Sequence, residues 1–288
     1  MQNTAEIAPF TIRPLHPHFG AELLDVDLSQ ELDDALFAAI YQAFLDYQVL
    51  LFRSGEIPPA RQVEFARRFG EVQIHVMNQY HANGYPELYF LSNLDETGQP
   101  SGKHPDKGTM SWHTDGSWRP ETGQATIMYA VEVPETGGET HFCDMYGAYD
   151  RLSEAWKTRL ADLKAIHNLD FSRRRRHGED PMTEQQKREV PPVAHPIIRT
   201  HPETGRRSVF LGDHAETIEG MDYQAGRELI EQLNAMITPP ELVYQHHWQP
   251  GELVVWDNRC LLHRATSYDA AHDRRVIRRC TVLGDAPY

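Results

Sequence analysis

The sequence predicts a β-rich α+β fold, with helices packed outside a sandwich or barrel, and a jelly roll is the natural candidate. From residue 88 onward the pattern is mostly short strands bounded by glycine and proline turns. No stretch alternates strands and helices in the βαβ manner of a parallel sheet. A chain of 288 residues also suits one large all-β domain. We therefore expect a single domain over 1–288.

The first seventy residues mix strands with two helices. Residues 10–12 and 21–26 alternate enough to predict paired strands around a turn-rich segment. Over 31–47, apolar side chains recur every fourth position, which indicates a helix, and the apolar run that follows at 49–52 reads as a buried strand. A second helix is predicted to begin at the Pro58-Pro59 pair and to stop at Gly70.

The rest of the chain is predicted to be mainly strands, covering 88–91, 126–133, 140–144, 208–211, 253–256 and 276–283, with helices near 146–163 and 222–237. Residues 170–192 stand apart because they contain four consecutive arginines, several carboxylates and the Pro191-Pro192 pair. A polar segment of this length inside a compact domain is typical of a lid, or of a disordered insertion. We predict a lid that orders when substrate binds.

The composition limits the partners. The 28 basic and 42 acidic residues give a formal charge of −14, which disfavours nucleic acid or an anionic membrane as the main partner. Carboxylates near the four arginines favour a solvated, ion-paired face over a nucleic-acid site. Cys143, Cys260 and Cys280 form no CxxC motif and no disulfide framework. With no signal peptide and no long apolar span, we predict a cytoplasmic protein, and we expect a homo-oligomer.

The most informative motif is Trp112-His113-Thr114-Asp115, together with a distant histidine, His263. On an extended segment, His113 and Asp115 project from the same face, so His263 can complete a three-ligand cap on a metal. Two histidines and one carboxylate with open coordination positions are the mark of non-heme Fe(II) oxygenases. The motif therefore predicts iron-dependent oxygen chemistry.

Several blocks in a fixed order support a family resemblance. The chain resembles the taurine dioxygenase and 2,4-dichlorophenoxyacetate dioxygenase family, which uses Fe(II), 2-oxoglutarate and O2. The matching blocks are GAE at 20–22, FARRFG at 65–70, WHTD at 112–115, GGET at 137–140, RTHPETGR at 199–206, WDNRCLLHR at 256–264 and RRCTVLGD at 278–285. The resemblance implies a double-stranded β-helix and assigns His113, Asp115 and His263 to iron as the catalytic centre.

The resemblance also implies a 2-oxoglutarate site. By position, Arg275 matches the arginine that holds the distal carboxylate, and Thr140 adds a hydroxyl donor. Arg279 matches the arginine near the cosubstrate's first carboxylate and the substrate's acid group. In a strand over 274–281, Arg275 and Arg279 share one face, and buried arginines need anions. The periodicity alone leaves open whether that face or the Arg274 face points inward, and the resemblance favours Arg275.

The substrate is predicted to be a small acid. His75, Asn93 and His214 are candidate substrate contacts beside Arg279, with loop capping as the alternative for the latter two. The segments around 142–150 and 256–264 look more like the aryloxyalkanoate branch than the taurine branch, which implies cleavage to a phenol and an oxo acid. An alkylsulfonate dioxygenase that releases sulfite is the alternative. A metal-dependent hydrolase and a non-catalytic jelly-roll binding protein are the readings from other classes, whereas Asp115 disfavours a halogenase.

Overall fold

The computed structural model describes residues 9–74, 81–104, 107–175 and 182–288. The strands are β1 Thr11–Pro14, β2 Ala21–Leu24, β3 Val49–Phe52, β4 His81–Ala82, β5 Tyr85–Ser92, β6 Gly123–Glu132, β7 Thr140–Asp144, β8 Lys164–His167, β9 Val193–Pro196, β10 Ile198–Thr200, β11 Arg207–Val209, β12 Ala215–Ile218, β13 Val243–His246, β14 Leu253–Asp257, β15 Leu261–Ala265 and β16 Val276–Leu283. The helices are α1 Asp34–Tyr47, α2 Pro59–Phe69, α3 Met145–Asp150, α4 Glu154–Leu160, α5 Leu169–Arg175, α6 Glu184–Glu189 and α7 Tyr223–Ile237, and short 3-10 helices cover Lys107–Met110 and Pro240–Leu242.

Two sheets dominate the part of the chain that the structure describes. The larger has the order β1-β2-β3-β14-β6-β16-β5-β4, and its pairs are antiparallel except β2 with β3. The smaller has the order β13-β7-β15 and is antiparallel throughout. Smaller antiparallel groups, β12-β8-β9 and β10-β11, complete the strands. The β-rich class with helices outside the sheets is therefore as predicted.

The core divides into layers because both faces of the larger sheet are buried. One face packs against α1 and α2, and Val255 and Cys280 lie in that cluster. The other face, with Trp256 and Ile277, packs against Phe142 of the smaller sheet. A third cluster covers the outer face of the smaller sheet with α3 and α7. The space between the two sheets is therefore lined by inward side chains of β6, β7, β15 and β16.

The structure corrects some sequence predictions. The single helix expected over 146–163 is divided into α3 and α4, because Ser153 caps a new helix through its side chain. Strand 208–211 is shorter than expected, since β11 ends at Val209. The lid expected over 170–192 stays a prediction, and its described residues include most of α5 and all of α6. In the described ranges we find no helix with both the length and the apolar character needed to cross a bilayer.

Candidate active site

His113, Asp115 and His263 converge between the two sheets. One potential ligand atom from each lies within 4.8 Å of the others. His113 Nε2 is 3.9 Å from Asp115 Oδ1, and His263 Nε2 is 3.7 Å from Asp115 Oδ2. All three side chains are buried. The sequence-predicted ligands thus come together, although their role as metal ligands stays a proposal.

The two histidines are held by their own backbones. His113 N–H donates to His263 O at 3.0 Å, and His263 N–H donates to His113 O at 2.8 Å. His263 lies in β15, whereas His113 forms only an isolated bridge and Asp115 begins a turn. The expectation of an extended segment therefore holds at His113 but not at Asp115, where the chain turns at Gly116, whose φ is +72°.

The electrostatics suit a cation. Burial raises the pKa of Asp115, but the positive charge of Arg279, the proximity of His263 and His113 and the Thr126 hydrogen bond outweigh it, so its pKa lies well below the ordinary range. Burial, with the proximity of His113, holds the pKa of His263 well below its ordinary value. A carboxylate and a neutral imidazole are the protonation states that a metal requires.

The orientation of His113 also fits a metal. Its Nδ1 lies 2.8 Å from Ser111 O, and because a carbonyl oxygen only accepts, Nδ1 carries the proton. The lone pair on Nε2 is then directed towards Asp115. Metal-binding histidines usually have such a partner for their second nitrogen. Two imidazole nitrogens and one carboxylate oxygen are a donor set that fits Fe(II).

Arg275 is a buried cation on the inward side, immediately before β16. It is 3% exposed, whereas Arg274 is exposed and pairs with Glu132. Arg275 Nε is buried without a hydrogen-bond partner, and no described carboxylate lies within ion-pair distance of the side chain. Burial lowers the pKa of Arg275. A buried guanidinium without an internal counterion is suited to an external anion.

The GGET turn packs on this arginine. A side chain on Gly138, whose φ is +70°, would lie 3.3 Å from Arg275 Nε and 3.0 Å from Pro134. Thr140 follows in β7, is buried, and accepts a hydrogen bond from Trp248 Nε1 at 2.9 Å. The glycine therefore allows the turn to approach the guanidinium closely. Assignment of Thr140 and Arg275 to 2-oxoglutarate remains a proposal.

A cavity of about 950 Å³ opens beside His113 and Asp115. Its wall includes these two residues and Arg279, but not His263, Thr140 or Arg275. Much of the remaining wall is apolar, from Leu91, Trp118, Leu169, Met182, Val190 and Val193. The volume and lining are those of a site for a small organic molecule.

A comparison with known families decides the classification. The family described as "Taurine catabolism dioxygenase TauD, TfdA family" matches residues 11–281. The chain belongs to this family. The predicted family is therefore confirmed, as are the enzyme class, a 2-oxoglutarate-dependent dioxygenase, and the requirement for Fe(II), 2-oxoglutarate and dioxygen.

Individual TauD/TfdA relatives cover nearly the whole chain. An alpha-ketoglutarate-dependent 2,4-dichlorophenoxyacetate dioxygenase of Cupriavidus pinatubonensis is 36% identical over 281 residues, which is 95% of this chain and 97% of the relative. An (S)-phenoxypropionate/alpha-ketoglutarate-dioxygenase of Sphingobium herbicidovorans is 34% identical and covers 96% of each chain. The crystal structure of AAD-2 with Mn(II) and N-oxalylglycine is 35% identical, with a TM-score of 0.86, covering 96% of this chain and 98% of that one.

The other candidate substrate contacts have different outcomes. His75 lies outside the described residues. Asn93 is not among the residues of the cavity wall but is buried nearby, where its Nδ2 donates to Ala270 O and Asp273 O, so its role as a substrate contact stays a prediction. Its Oδ1 accepts from Arg275 N–H at 2.8 Å, so Asn93 instead holds the backbone of the buried arginine. His214 lines the cavity, and its Nδ1 is 3.1 Å from Ser117 Oγ.

Sequence reasoning missed two residues that hold the side chain of Asp115. Thr126 donates to Asp115 Oδ2 at 2.6 Å, and Asn258 donates to Thr126 at 2.9 Å. Asn258 stands in the WDNRCLLHR block, which could have drawn attention to it. A threonine in a β-strand carries no comparable signal, because threonine is common in strands.

Proposed function

We propose that this TauD/TfdA enzyme hydroxylates a small aryloxyalkanoate and cleaves it to a phenol and an oxo acid. The observation that carries the proposal is the position of Arg279 beside the metal ligands in a largely apolar cavity. Its Nη2 lies 2.8 Å from Asp115 Oδ1, and its side chain lines the cavity. An arginine at the ligands and an apolar wall beyond them suit an acid group joined to an aryl ring.

The relatives support this substrate class. Two relatives, at 36% and 34% identity, are named for 2,4-dichlorophenoxyacetate and (S)-phenoxypropionate. In both of these compounds the acid group is attached to the carbon that bears the aryloxy oxygen. Sulfate-ester chemistry appears at lower identity, in an alkylsulfatase of Acinetobacter baylyi at 31% and a sulfate ester dioxygenase of Pseudomonas putida at 28%. The alkylsulfonate alternative is less supported.

The residues have distinct proposed roles. His113, Asp115 and His263 hold Fe(II), which activates dioxygen with electrons from 2-oxoglutarate when bound. Arg275 and Thr140 hold the distal carboxylate of 2-oxoglutarate. Arg279 orients the substrate acid, and the apolar wall excludes water around the reacting carbon.

The overall reaction balances with one dioxygen. One oxygen atom enters the substrate C–H bond as a hydroxyl, and the other enters succinate as 2-oxoglutarate loses carbon dioxide. A hydroxyl on the carbon next to the ether oxygen gives a hemiacetal, which breaks at the C–O bond. The proton of that hydroxyl passes to the departing phenol, and the carbon becomes a carbonyl.

Some architectural features also remain proposals. We infer that the larger sheet and β13-β7-β15 are the two walls of a double-stranded β-helix, because their facing side chains form one cluster around Phe142 and Trp256. We further propose that the chain is one domain, that it forms a homo-oligomer in the cytoplasm, and that 170–192 acts as a lid. Arg173, Met182, Gln186 and Glu189 of that region border the cavity, which supports the last point.

The test is a substrate screen with purified protein, Fe(II) and 2-oxoglutarate. Aryloxyacetates and aryloxypropionates should release phenol and succinate in a 1:1 ratio, whereas alkylsulfonates should release little sulfite. Asp115→Ala should abolish turnover and leave the fold intact. Full activity of that variant would exclude the proposed metal site, and sulfite release without phenol would favour the alternative substrate class.

A further inference from the structure

Asp115 Oδ2 is the end of a chain of buried hydrogen bonds. Trp256 Nε1 donates to Asn258 Oδ1 at 3.0 Å, and Asn258 Nδ2 donates to Thr126 Oγ1 at 2.9 Å. Thr126 Oγ1 then donates to Asp115 Oδ2 at 2.6 Å. Trp256, Asn258 and Thr126 are at most 1% exposed, so no bulk solvent competes for these bonds.

The chemistry of the donors fixes the direction of this chain. An indole N–H only donates, so the Asn258 atom that it meets is the amide oxygen. The backbone N–H of Asp115 points to the same oxygen, at 3.4 Å. The amide NH2 therefore faces Thr126 and donates to its hydroxyl oxygen. The Thr126 proton is then directed to the carboxylate, which can only accept.

We propose that Thr126 and Asn258 are positioning residues that keep Asp115 a one-oxygen ligand of the metal. This inference rests on the proposed metal site. A short hydrogen bond to a charged oxygen is a strong one, and it fixes the rotation of the carboxylate. Thr126 thereby holds Oδ2, which lies 3.7 Å from His263 Nε2, while Oδ1 contacts Arg279 and lies 3.9 Å from His113 Nε2. In this proposal Oδ1 is the oxygen that binds the metal, and its contact with Arg279 is then replaced by the metal bond.

The consequence concerns the open coordination positions. A three-ligand cap leaves three positions for 2-oxoglutarate and dioxygen. Without the Thr126 hydroxyl, the carboxylate can rotate and bind through both oxygens, which removes one of those positions. The hydroxyl of Thr126 therefore keeps three coordination positions of the metal open to water or ligands. The number of these positions can be measured without substrate turnover.

The experiment compares Thr126→Val with Thr126→Ser and with a control. Valine keeps the branched shape but loses the hydroxyl, and serine restores it. Thr122→Val is the matched control, because Thr122 is also buried and immediately precedes β6. Its hydroxyl donates to Asp285 O at 3.3 Å and accepts from Arg199 Nη1 at 3.4 Å, so its partners are not the proposed metal ligands. Each protein is titrated with Mn(II), and the relaxation of water protons is measured per bound ion.

We expect Thr126→Val to bind Mn(II) about 10- to 100-fold more weakly, the usual loss when a partner of a metal ligand is removed. Its relaxation enhancement per bound ion should also fall, because fewer waters contact the metal. Thr126→Ser and Thr122→Val should match the wild type in both. An unchanged enhancement in Thr126→Val would overturn the inference. Failure of the wild type to bind Mn(II) would instead contradict the proposed metal site.

Asn258→Asp tests the direction of the chain. The new carboxylate can only accept, so it should draw the Thr126 proton away from Asp115 and reproduce the loss in relaxation enhancement. In the Thr126→Val background the same substitution should add nothing, because there is no hydroxyl to redirect. A further loss in the double variant would show that Asn258 acts independently of Thr126 and would overturn its assigned role.

Discussion

Replacing Arg275 with methionine should separate the effect of its buried charge on the stability of the fold from its role in binding 2-oxoglutarate. Arg275 is 3% exposed and has no described carboxylate partner, so the folded apoprotein bears an uncompensated cation. Arg275→Met keeps most of the length and removes the charge. Because replacement of a buried charge by an apolar side chain is often neutral or stabilising, the free energy of unfolding of the apoprotein should stay the same or rise.

The same substitution should weaken the binding of 2-oxoglutarate. Removing one partner of a buried charge pair costs about 2–5 kcal/mol, which corresponds to a roughly 30-fold to several-thousand-fold increase in Kd. For the wild type, 2-oxoglutarate at about 100 times its Kd should add about 2.7 kcal/mol to the free energy of unfolding. At the same concentration, Arg275→Met should gain at most about 0.9 kcal/mol, the value for a roughly 30-fold weaker Kd, and almost none if the loss is several-thousand-fold.

Arg274→Met is the matched control on the preceding residue. Arg274 is exposed and pairs with Glu132 on the surface, where an ion pair contributes about 1 kcal/mol or less. The measurements are thermal unfolding of the Mn(II)-loaded proteins with and without 2-oxoglutarate, and calorimetric titration. If Arg274→Met loses 2-oxoglutarate binding and Arg275→Met keeps it, the assignment of the inward face to the cosubstrate is wrong.

Three further predictions test the cavity, a buried histidine and the proposed lid. The methyl ester of a good aryloxy acid should bind at least about 2 kcal/mol more weakly than the acid, because the guanidinium of Arg279 is then left without its anion. Arg279→Lys should also have lower activity on the acid, because an ammonium cannot reproduce the two parallel hydrogen bonds of the guanidinium. Equal turnover of acid and ester would contradict the role of Arg279. Burial, with the charges of His195 and His214, holds the pKa of His167 well below its ordinary 6.5, so the unfolded chain binds one proton more and stability falls as the pH drops below that value. Urea unfolding of His167→Leu between about pH 5 and 6 should show a dependence weaker by up to about 1.4 kcal/mol per pH unit, and an unchanged slope would refute this. Proteolysis within 173–176 should slow when metal, 2-oxoglutarate and substrate bind together, whereas constant cleavage rates would exclude a lid.

Local pattern was sufficient for most strands, because a buried sheet repeats every two residues and its turns carry glycine and proline. β16 was predicted with its observed bounds, Val276–Leu283. Its inward face was not decided by pattern, because both faces are buried: Ile277 packs between the sheets and Cys280 packs under the helices. Alternation distinguishes a face only when the other face meets water.

Long-range partners were beyond sequence reasoning. The HxD pair and His263 were predicted because their chemistry is rare in combination, yet nothing local placed Asn93 under Arg275, 182 residues away in the chain. Likewise, Asn258 reaches Thr126, 132 residues away in the chain, where β14 pairs with β6. Such contacts depend on the order of strands in the sheet, which single-residue periodicity does not encode.

The reciprocal backbone bonds between His113 and His263 have a consequence for metal exchange. Their N–H and C=O groups pair directly, at 3.0 and 2.8 Å, so the separation of the two imidazoles is set when the chain folds. The entropy of ordering these ligands is then lost during folding and not during metal binding. Unlike a zinc finger, which unfolds in a chelator, this fold should survive repeated removal of its ion and accept a new one without refolding.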